Sequence, residues 1–352
     1  MKSPSPTSGD RKAHTFVVVI VGASSGIGRA TAVAFARKGA CVVVAARRAS
    51  ALEDVARECA SEGGQAMAVP TDITEPEQVD ELVRAALARF GHIDVWIHCA
   101  AVLAMGRFDD VPADAFRRVV ETNFFGRVQC TRAVLKHFRT RGEGLIIDVN
   151  SVLGRVAQPY ASAYVASKFA GRGWVESLRE ELLDTPKIRI CSIYPAPVDT
   201  PIYSSAANFT GREIRPIRPL LDPAAVARQI VELAFGSKRE AYAGRIGPTI
   251  NLAHALAPGL TERLARLTVD VMQLSRSEET VSWGNLVEPS WRRAEVNGGW
   301  RSTRNKPPRW FVLGALVAFT AGLALAARSQ RVRPYALSAA RPLTSSRPAA
   351  PR

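Results

Sequence analysis

The sequence predicts an α/β fold built on a doubly wound parallel sheet, and three observations carry that expectation. Apolar runs of strand length alternate with helical patterns from residue 16 to residue 243. The first run, Phe16–Val21, is apolar throughout and mostly β-branched, as in a strand buried on both faces. A glycine cluster, Gly22-Ala-Ser-Ser-Gly26-Ile-Gly28, joins that run to a helical pattern over Arg29–Lys38. Strand, glycine turn and helix together bring backbone N–H groups and a helix N-terminus towards a phosphate.

The remaining elements follow in order. Strands are expected at Cys41–Ala46, Gln65–Val69, Ile93–His98, Leu145–Val149, Ile188–Ile193 and Glu240–Ala243. Helices are expected at Ser50–Ser61, Glu75–Phe90, Asp114–Phe138, Ala161–Leu183 and Asp222–Phe235. Residues 1–13 are polar and contain prolines, the pattern of a flexible terminus. The sheet domain then spans 14–247, and an extension or linker spans 248–306. In that extension Asn251–Ala257 and Leu260–Leu274 read as helical and the rest as loop.

The chain has 352 residues, 47 Lys and Arg against 32 Asp and Glu, and a formal net charge of +15. From Trp291 onward 12 basic residues face a single acid, Glu295, so +11 of that charge belongs to the C-terminal segment. No basic run interleaved with aromatics marks a nucleic-acid surface, and nucleic acid is not an expected partner. The five cysteines are scattered without metal spacing. They read as reduced core thiols in a reducing compartment, and no metal site is expected. The N-terminus resembles no secretory signal, because its apolar run is short and leads directly into glycines.

Three groups of residues carry candidate chemistry. The glycine cluster, with Ser24, Ser25 and Ile27 inside it, has the spacing G-x-x-x-G-x-G and reads as a nucleotide loop or as a tight turn. The second strand ends in Arg47-Arg48, where many dinucleotide folds place an acid on the ribose 2′-hydroxyl. Two arginines there favour NADP(H) over NAD(H), the alternative being a solvated pair at a strand end. Finally, Tyr164 and Lys168 stand four apart in a helical segment and share one face. A phenol with its ordinary pKa of roughly 10 is a poor acid or base near neutrality, and a neighbouring ammonium lowers that value. Ser151 follows the strand Leu145–Val149, where its hydroxyl can bond a substrate oxygen. These parts suit proton transfer at an alcohol or ketone while a cofactor moves hydride.

With those residues assembled, the stretch from about Thr15 to Gly244 resembles a short-chain dehydrogenase/reductase of the classical type, which has a Rossmann-type sheet. The resemblance implies that Gly22, Gly26 and Gly28 bind the cofactor and that Asp72, in Thr-Asp-Ile-Thr, lies beside the adenine. It implies that Asn123, Ser151, Tyr164 and Lys168 are catalytic, with Asn123 holding a proton-relay water near the lysine. Tyr164 would exchange the proton, Lys168 would lower its pKa and bind the nicotinamide ribose, and Ser151 would position the carbonyl. Pro195, Val198 and Thr200 fall in a segment resembling the one that contacts the nicotinamide. The family's Asn-Asn-Ala-Gly is replaced here by His98-Cys99-Ala100-Ala101, which keeps Ala100 but places a β-carbon at 101. That departure supports a rival reading, a dinucleotide-binding sensor or scaffold without turnover. A second departure replaces a glycine with Ala196.

Substrate-lining residues are expected after Ser151 (Leu153, Val156, Tyr160) and within Pro201–Leu221 (Ile202, Tyr203, Phe209). Their apolar character suits a lipophilic alcohol or carbonyl, or else the packing of a lid. Trp310–Ala327 is uncharged over 18 residues and is flanked by Arg309 and Arg328. It reads as a C-terminal transmembrane helix, with a core or homo-oligomerisation helix as the alternative. The anchored catalytic domain is expected to face the cytoplasm. The basic tail 328–352 reads as disordered.

Overall fold

Seven parallel strands form one twisted sheet, in the order Gln65–Pro70, Cys41–Ala46, Val17–Val21, Val95–His98, Gly144–Val149, Ile188–Pro195 and Glu240–Ala243. The computed structural model describes residues 16–244, 246–290 and 294–302. Along the chain the elements are β1 Val17–Val21, α1 Gly26–Ala36, β2 Cys41–Ala46, α2 Ala49–Ser61, β3 Gln65–Pro70, α3 Pro76–Phe90 and β4 Val95–His98. A short β5, Ala104–Met105, precedes α4 Ala113–Val120 and α5 Gly126–Arg141. Then come β6 Gly144–Val149, α6 Ser162–Glu181, β7 Ile188–Pro195, the short β8 Ala207–Asn208 and β9 Arg212–Ile214, α7 Pro223–Phe235 and β10 Glu240–Ala243. Helices α8 Ile246–Leu256 and α9 Pro258–Thr268 and strand β11 Leu274–Glu278 complete the series.

The β-branched runs are buried on both faces because side chains alternate along each strand. Val18, Ile20, Val42 and Val44 point to one side and pack against Phe35 of α1, Leu52 of α2 and Ile230 of α7. Val19, Val21, Val43 and Trp96 point to the other and meet Leu82 of α3, Val134 of α5 and Val175 of α6. The helices therefore cover the sheet from both sides. The carboxyl ends of β1, β2, β4, β6 and β7 are left to carry the loops in which the candidate residues lie. Helix α7 begins at a Pro at its first position, and the Asp222 carboxylate accepts the Ala224 N–H as its cap.

Two expectations are corrected. The predicted helix 114–138 is interrupted by a π-helical turn over Glu121–Phe125. Asn123, at its centre, is fully buried and hydrogen-bonds both backbone groups of Val102, which accounts for a turn widened at that point. The loop expected after Leu274 contains β11, which pairs antiparallel with β9. Beyond it the chain returns across the top of the sheet. Residues 1–13, the candidate span 310–327 and the tail 328–352 lie outside the described residues. Among the described residues no helix is long and apolar enough to cross a membrane.

Candidate active site

Two clefts open at the carboxyl edge of the sheet, and they share a wall. The larger is lined by Gly22, Ser24, Ser25, Gly26, Ile27 and Gly28, by Arg47, Arg48 and Asp72, and by Ala100, Tyr164, Lys168 and Thr200. The smaller is lined by Ser151, Leu153, Tyr164, Pro195, Val198, Thr200, Ile202 and Tyr203. The structure thus gathers the predicted cofactor residues around the two adjoining spaces. Tyr164 faces both.

The loop after β1 is shaped by close backbone contact. A β-carbon on Gly22, whose φ is +83°, would lie 2.4 Å from Ala100 N, and one on Gly28 would lie 2.2 Å from Gly22 O. Backbone atoms cannot yield as a flexible side chain can, so these positions require glycine. Ala100 and Ala101 line the cleft without filling it. The Asp72 Oδ1 accepts from the N–H and hydroxyl of Thr74, which fixes the turn into α3 at the cleft wall.

Asn123 lies behind the cleft. Its Oδ1 accepts from Val102 N at 2.8 Å, and its Nδ2 donates to Val102 O at 2.9 Å and Ser167 Oγ at 3.2 Å. Its amide thereby fastens the loop after β4 to helix α6. Ser151 Oγ accepts from Leu153 N at 3.1 Å, leaving its own proton to donate outward. Lys168 is buried, and its Nζ donates to Val149 O at 3.2 Å and lies 5.4 Å from the centre of the Tyr164 ring.

The electrostatics differ from the sequence expectation. Burial raises the Tyr164 phenol above its ordinary value, and the groups opposing that rise are Arg127 and the Ser151 hydroxyl, not Lys168. Lys168 itself is pushed well down, by burial first and then by Arg127, with Asp148 and Cys99 acting against this. Arg127 is the residue that the sequence reading missed. Its side chain is 1% exposed, its Nη1 donates to the fully buried Asp148 at 2.7 Å, and its Nη2 shares the Val149 O acceptor with Lys168. An arginine in the first turn of a helix carries no motif that signals such a role. Only the crossing of α5 over β6 reveals it.

His98 is buried with its Nε2 3.0 Å from Thr131 Oγ1, and burial lowers its pKa to about 3. Between that value and its ordinary 6.5 the unfolded chain binds a proton that the folded chain refuses, so stability falls as pH falls through this window. The melting temperature is expected to drop more between pH 7.5 and pH 5.5 in the wild type than in His98→Asn. Equal drops would show that His98 does not govern the acid response.

Of the expected substrate residues, Leu153, Ile202 and Tyr203 line the smaller cleft, whereas Tyr160, Phe209 and Val156 do not. The Tyr160 hydroxyl donates to Asp270 at 2.8 Å and the Arg266 guanidinium covers its ring, so it fastens the segment after α9. Phe209 packs edge-on against Trp283. Leu103, Ile217, Gln158 and Gln273 take their places, the two glutamines joined at 3.1 Å. They come from segments distant in sequence, brought together only by folding.

The C-terminal extension also reaches the larger cleft, whose outer wall includes Asn285, Pro289, Ser290 and Ala294. Arg47 and Arg48 donate to carbonyls of this strap, at Asn285, Val287 and Ser290. Gly26 N donates to Glu295 O.

Residues 16–210 match the family model for the short chain dehydrogenases. The chain belongs to the short-chain dehydrogenase family. This short-chain dehydrogenase is 38% identical over 257 residues to the uncharacterized oxidoreductase YxnA of Bacillus subtilis strain 168, covering 72% of each chain. It is 35% identical over 194 residues to human dehydrogenase/reductase SDR family member 7, a match spanning 54% of this chain and 57% of that one. Among solved structures it resembles the alcohol dehydrogenase of the archaeon Thermococcus sibiricus, determined in complex with 5-hydroxy-NADP. The TM-score is 0.57 with 28% identity, over 65% of this short-chain dehydrogenase and 95% of the archaeal chain. A short-chain dehydrogenase from Streptomyces avermitilis aligns with a TM-score of 0.61 at 28% identity, over 68% of this chain and 92% of that one.

Proposed function

We propose that this oxidoreductase is NADP(H)-dependent and interconverts a carbonyl and an alcohol on a lipophilic substrate. The observation that carries the reading is the position of Tyr164, whose side chain lines both the glycine-loop cleft and the apolar cleft holding Ser151. A proton-transfer group belongs where a cofactor and a substrate meet. The residues present fit a dinucleotide: a β-carbon would fill the cradle at Gly22 and Gly28, and two guanidinium groups stand at the end of β2. The archaeal relative of the same fold, solved with 5-hydroxy-NADP, supports that choice.

The loop from Gly22 to Gly28 and the N-terminus of α1 would hold the pyrophosphate, Arg47 and Arg48 the 2′-phosphate, and Asp72 and Ala100 the adenosine side. Pro195, Val198 and Thr200 would flank the nicotinamide, and Lys168 its ribose. When bound, the cofactor supplies or accepts hydride. In reduction Tyr164 gives its hydroxyl proton to the substrate oxygen, and in oxidation its phenolate takes that proton back. Ser151, whose Oγ already accepts the Leu153 N–H, donates to the same oxygen and holds it against the tyrosine. Asn123 keeps the loop at Val102 and the helix carrying Tyr164 in fixed relation.

Leu103, Leu153, Ile202 and Ile217 make the second cleft apolar, which supports a lipophilic substrate. The uncharged stretch 310–327 supports delivery from a membrane. Fractionation of the full chain checks the second point, and recovery in the soluble fraction would overturn it. For the first, NADPH oxidation is followed with a series of ketones and aldehydes of rising chain length. Rates are expected to rise with length, and a preference for small polar carbonyls would count against the lipophilic assignment.

Cofactor choice has its own test. Arg47→Ala is expected to lower the ratio of NADPH to NADH affinity by about 10- to 100-fold, the size of a lost charge-assisted contact to phosphate. A ratio that stays within twofold of the wild type would remove Arg47 from the 2′-phosphate site.

A further inference from the structure

We propose that the C-terminal strap, residues 285–290 and 294–301, is an internal occupant of the phosphate donors and is displaced when NADP(H) binds. The inference rests on the NADP(H) reading above. Four donors of residues lining the larger cleft, and a fifth from the neighbouring Arg29, end on backbone carbonyls of the strap. Arg47 Nη2 donates to Asn285 O at 2.7 Å and Nη1 to Val287 O at 3.0 Å. Arg48 Nη1 donates to Ser290 O at 2.7 Å, Gly26 N to Glu295 O at 3.0 Å, and Arg29 Nη1 to Ala294 O at 2.5 Å. The donors are those of an anion site, three guanidinium groups and an N–H of the glycine loop. The acceptors are neutral dipoles, standing in for phosphate oxygens.

This arrangement sets up an exchange. A hydrogen bond to an ionised phosphate is about twice as strong as one to a neutral carbonyl, so a 2′-phosphate wins Arg47 and Arg48 from the strap. NAD(H) has no 2′-phosphate and leaves those bonds in place. The strap would discriminate between the cofactors by what each can displace.

The far end of the strap has a separate anchor. The Asp199 carbonyl accepts Gly298 N, and its carboxylate accepts Trp300 N at 2.9 Å and Arg301 N at 3.0 Å. Arg301 also pairs with Asp222 at 2.7 Å. Gly298 permits this approach, since a β-carbon there would lie 2.5 Å from the Thr200 carbonyl and 2.4 Å from the Trp300 ring. Gly298→Ala therefore loosens the strap without altering any donor of the cleft.

Two measurements on the full-length chain test the exchange. The first is hydrogen–deuterium exchange of peptides covering 285–301, free and with saturating NADPH or NADH. NADPH is expected to remove protection there and NADH to leave most of it. The second is the NADPH dissociation constant of wild type and Gly298→Ala by fluorescence. A strap closed about nine-tenths of the time implies about tenfold tighter binding once it is loosened. Binding seen only in Gly298→Ala would be the same result in stronger form. If NADPH binds the wild type and protection of the strap stays the same or increases, the strap is a fixed wall of the site and the proposal falls. If neither protein binds NADPH, the cofactor reading fails first and takes the strap proposal with it.

Discussion

Tyr164→Phe is expected to lower kcat roughly 100- to 10,000-fold, the usual contribution of a positioned acid or base, while NADPH affinity stays near the wild-type value. The substitution removes one oxygen and keeps the ring, so the packing of α6 against the clefts survives. Steady-state turnover and a cofactor titration on the same preparation separate the two quantities. A variant retaining more than a tenth of wild-type kcat would mean that another group supplies the proton, and the assignment of Tyr164 would be wrong.

Arg127→Met is expected to destabilise the fold by about 3–5 kcal/mol, because it leaves the buried Asp148 carboxylate without its cation. For a chain of this size that lowers the melting temperature by on the order of 10 °C. Replacing both partners, Arg127→Met with Asp148→Leu, is expected to restore most of the loss, since an apolar pair no longer requires a compensated charge. The double variant also reads the electrostatics. Arg127 opposes the burial-driven rise of the Tyr164 phenol, so its removal lets that pKa climb. Reduction needs the protonated phenol and loses rate as pH passes its pKa, so the falling limb of the profile is expected to move to higher pH. Oxidation needs the phenolate, and its rising limb moves the same way. A profile that does not move would show that Arg127 serves packing alone.

What the sequence made legible was local. Strands such as Cys41–Ala46 and Glu240–Ala243 appear at their predicted boundaries, because a β-branched or alternating run between turns declares itself without a partner. The glycine loop and the pair Tyr164 and Lys168 were legible for a related reason, since each lies within one turn or one helix face, whereas Ser151 meets Tyr164 only when the loop after β6 folds against α6. What escaped depends on contacts between distant segments. Nothing near Asn123 signals a π turn, since the cause is the backbone of Val102 on another loop. Arg127 reads as an ordinary helix arginine until β6 places Asp148 beneath it. Tyr160 and Phe209 were apolar residues at reasonable positions, but Asp270 and Trp283 claim them. The strap was least legible of all. It binds through its carbonyls, which every residue has, so no side-chain pattern marks it.

The path of the strap has a temporal side. The residues of the sheet domain that line the nucleotide cleft, from Gly22 to Thr200, are all present in the nascent chain about a hundred residues before Gly298 is made. At a synthesis rate of ~5–20 residues per second, that leaves a gap of roughly 5–20 s. During that interval the strap is not yet present to accept from the anion donors. On the exchange proposed above, a dinucleotide present at that moment would meet its donors before the strap that competes for them exists.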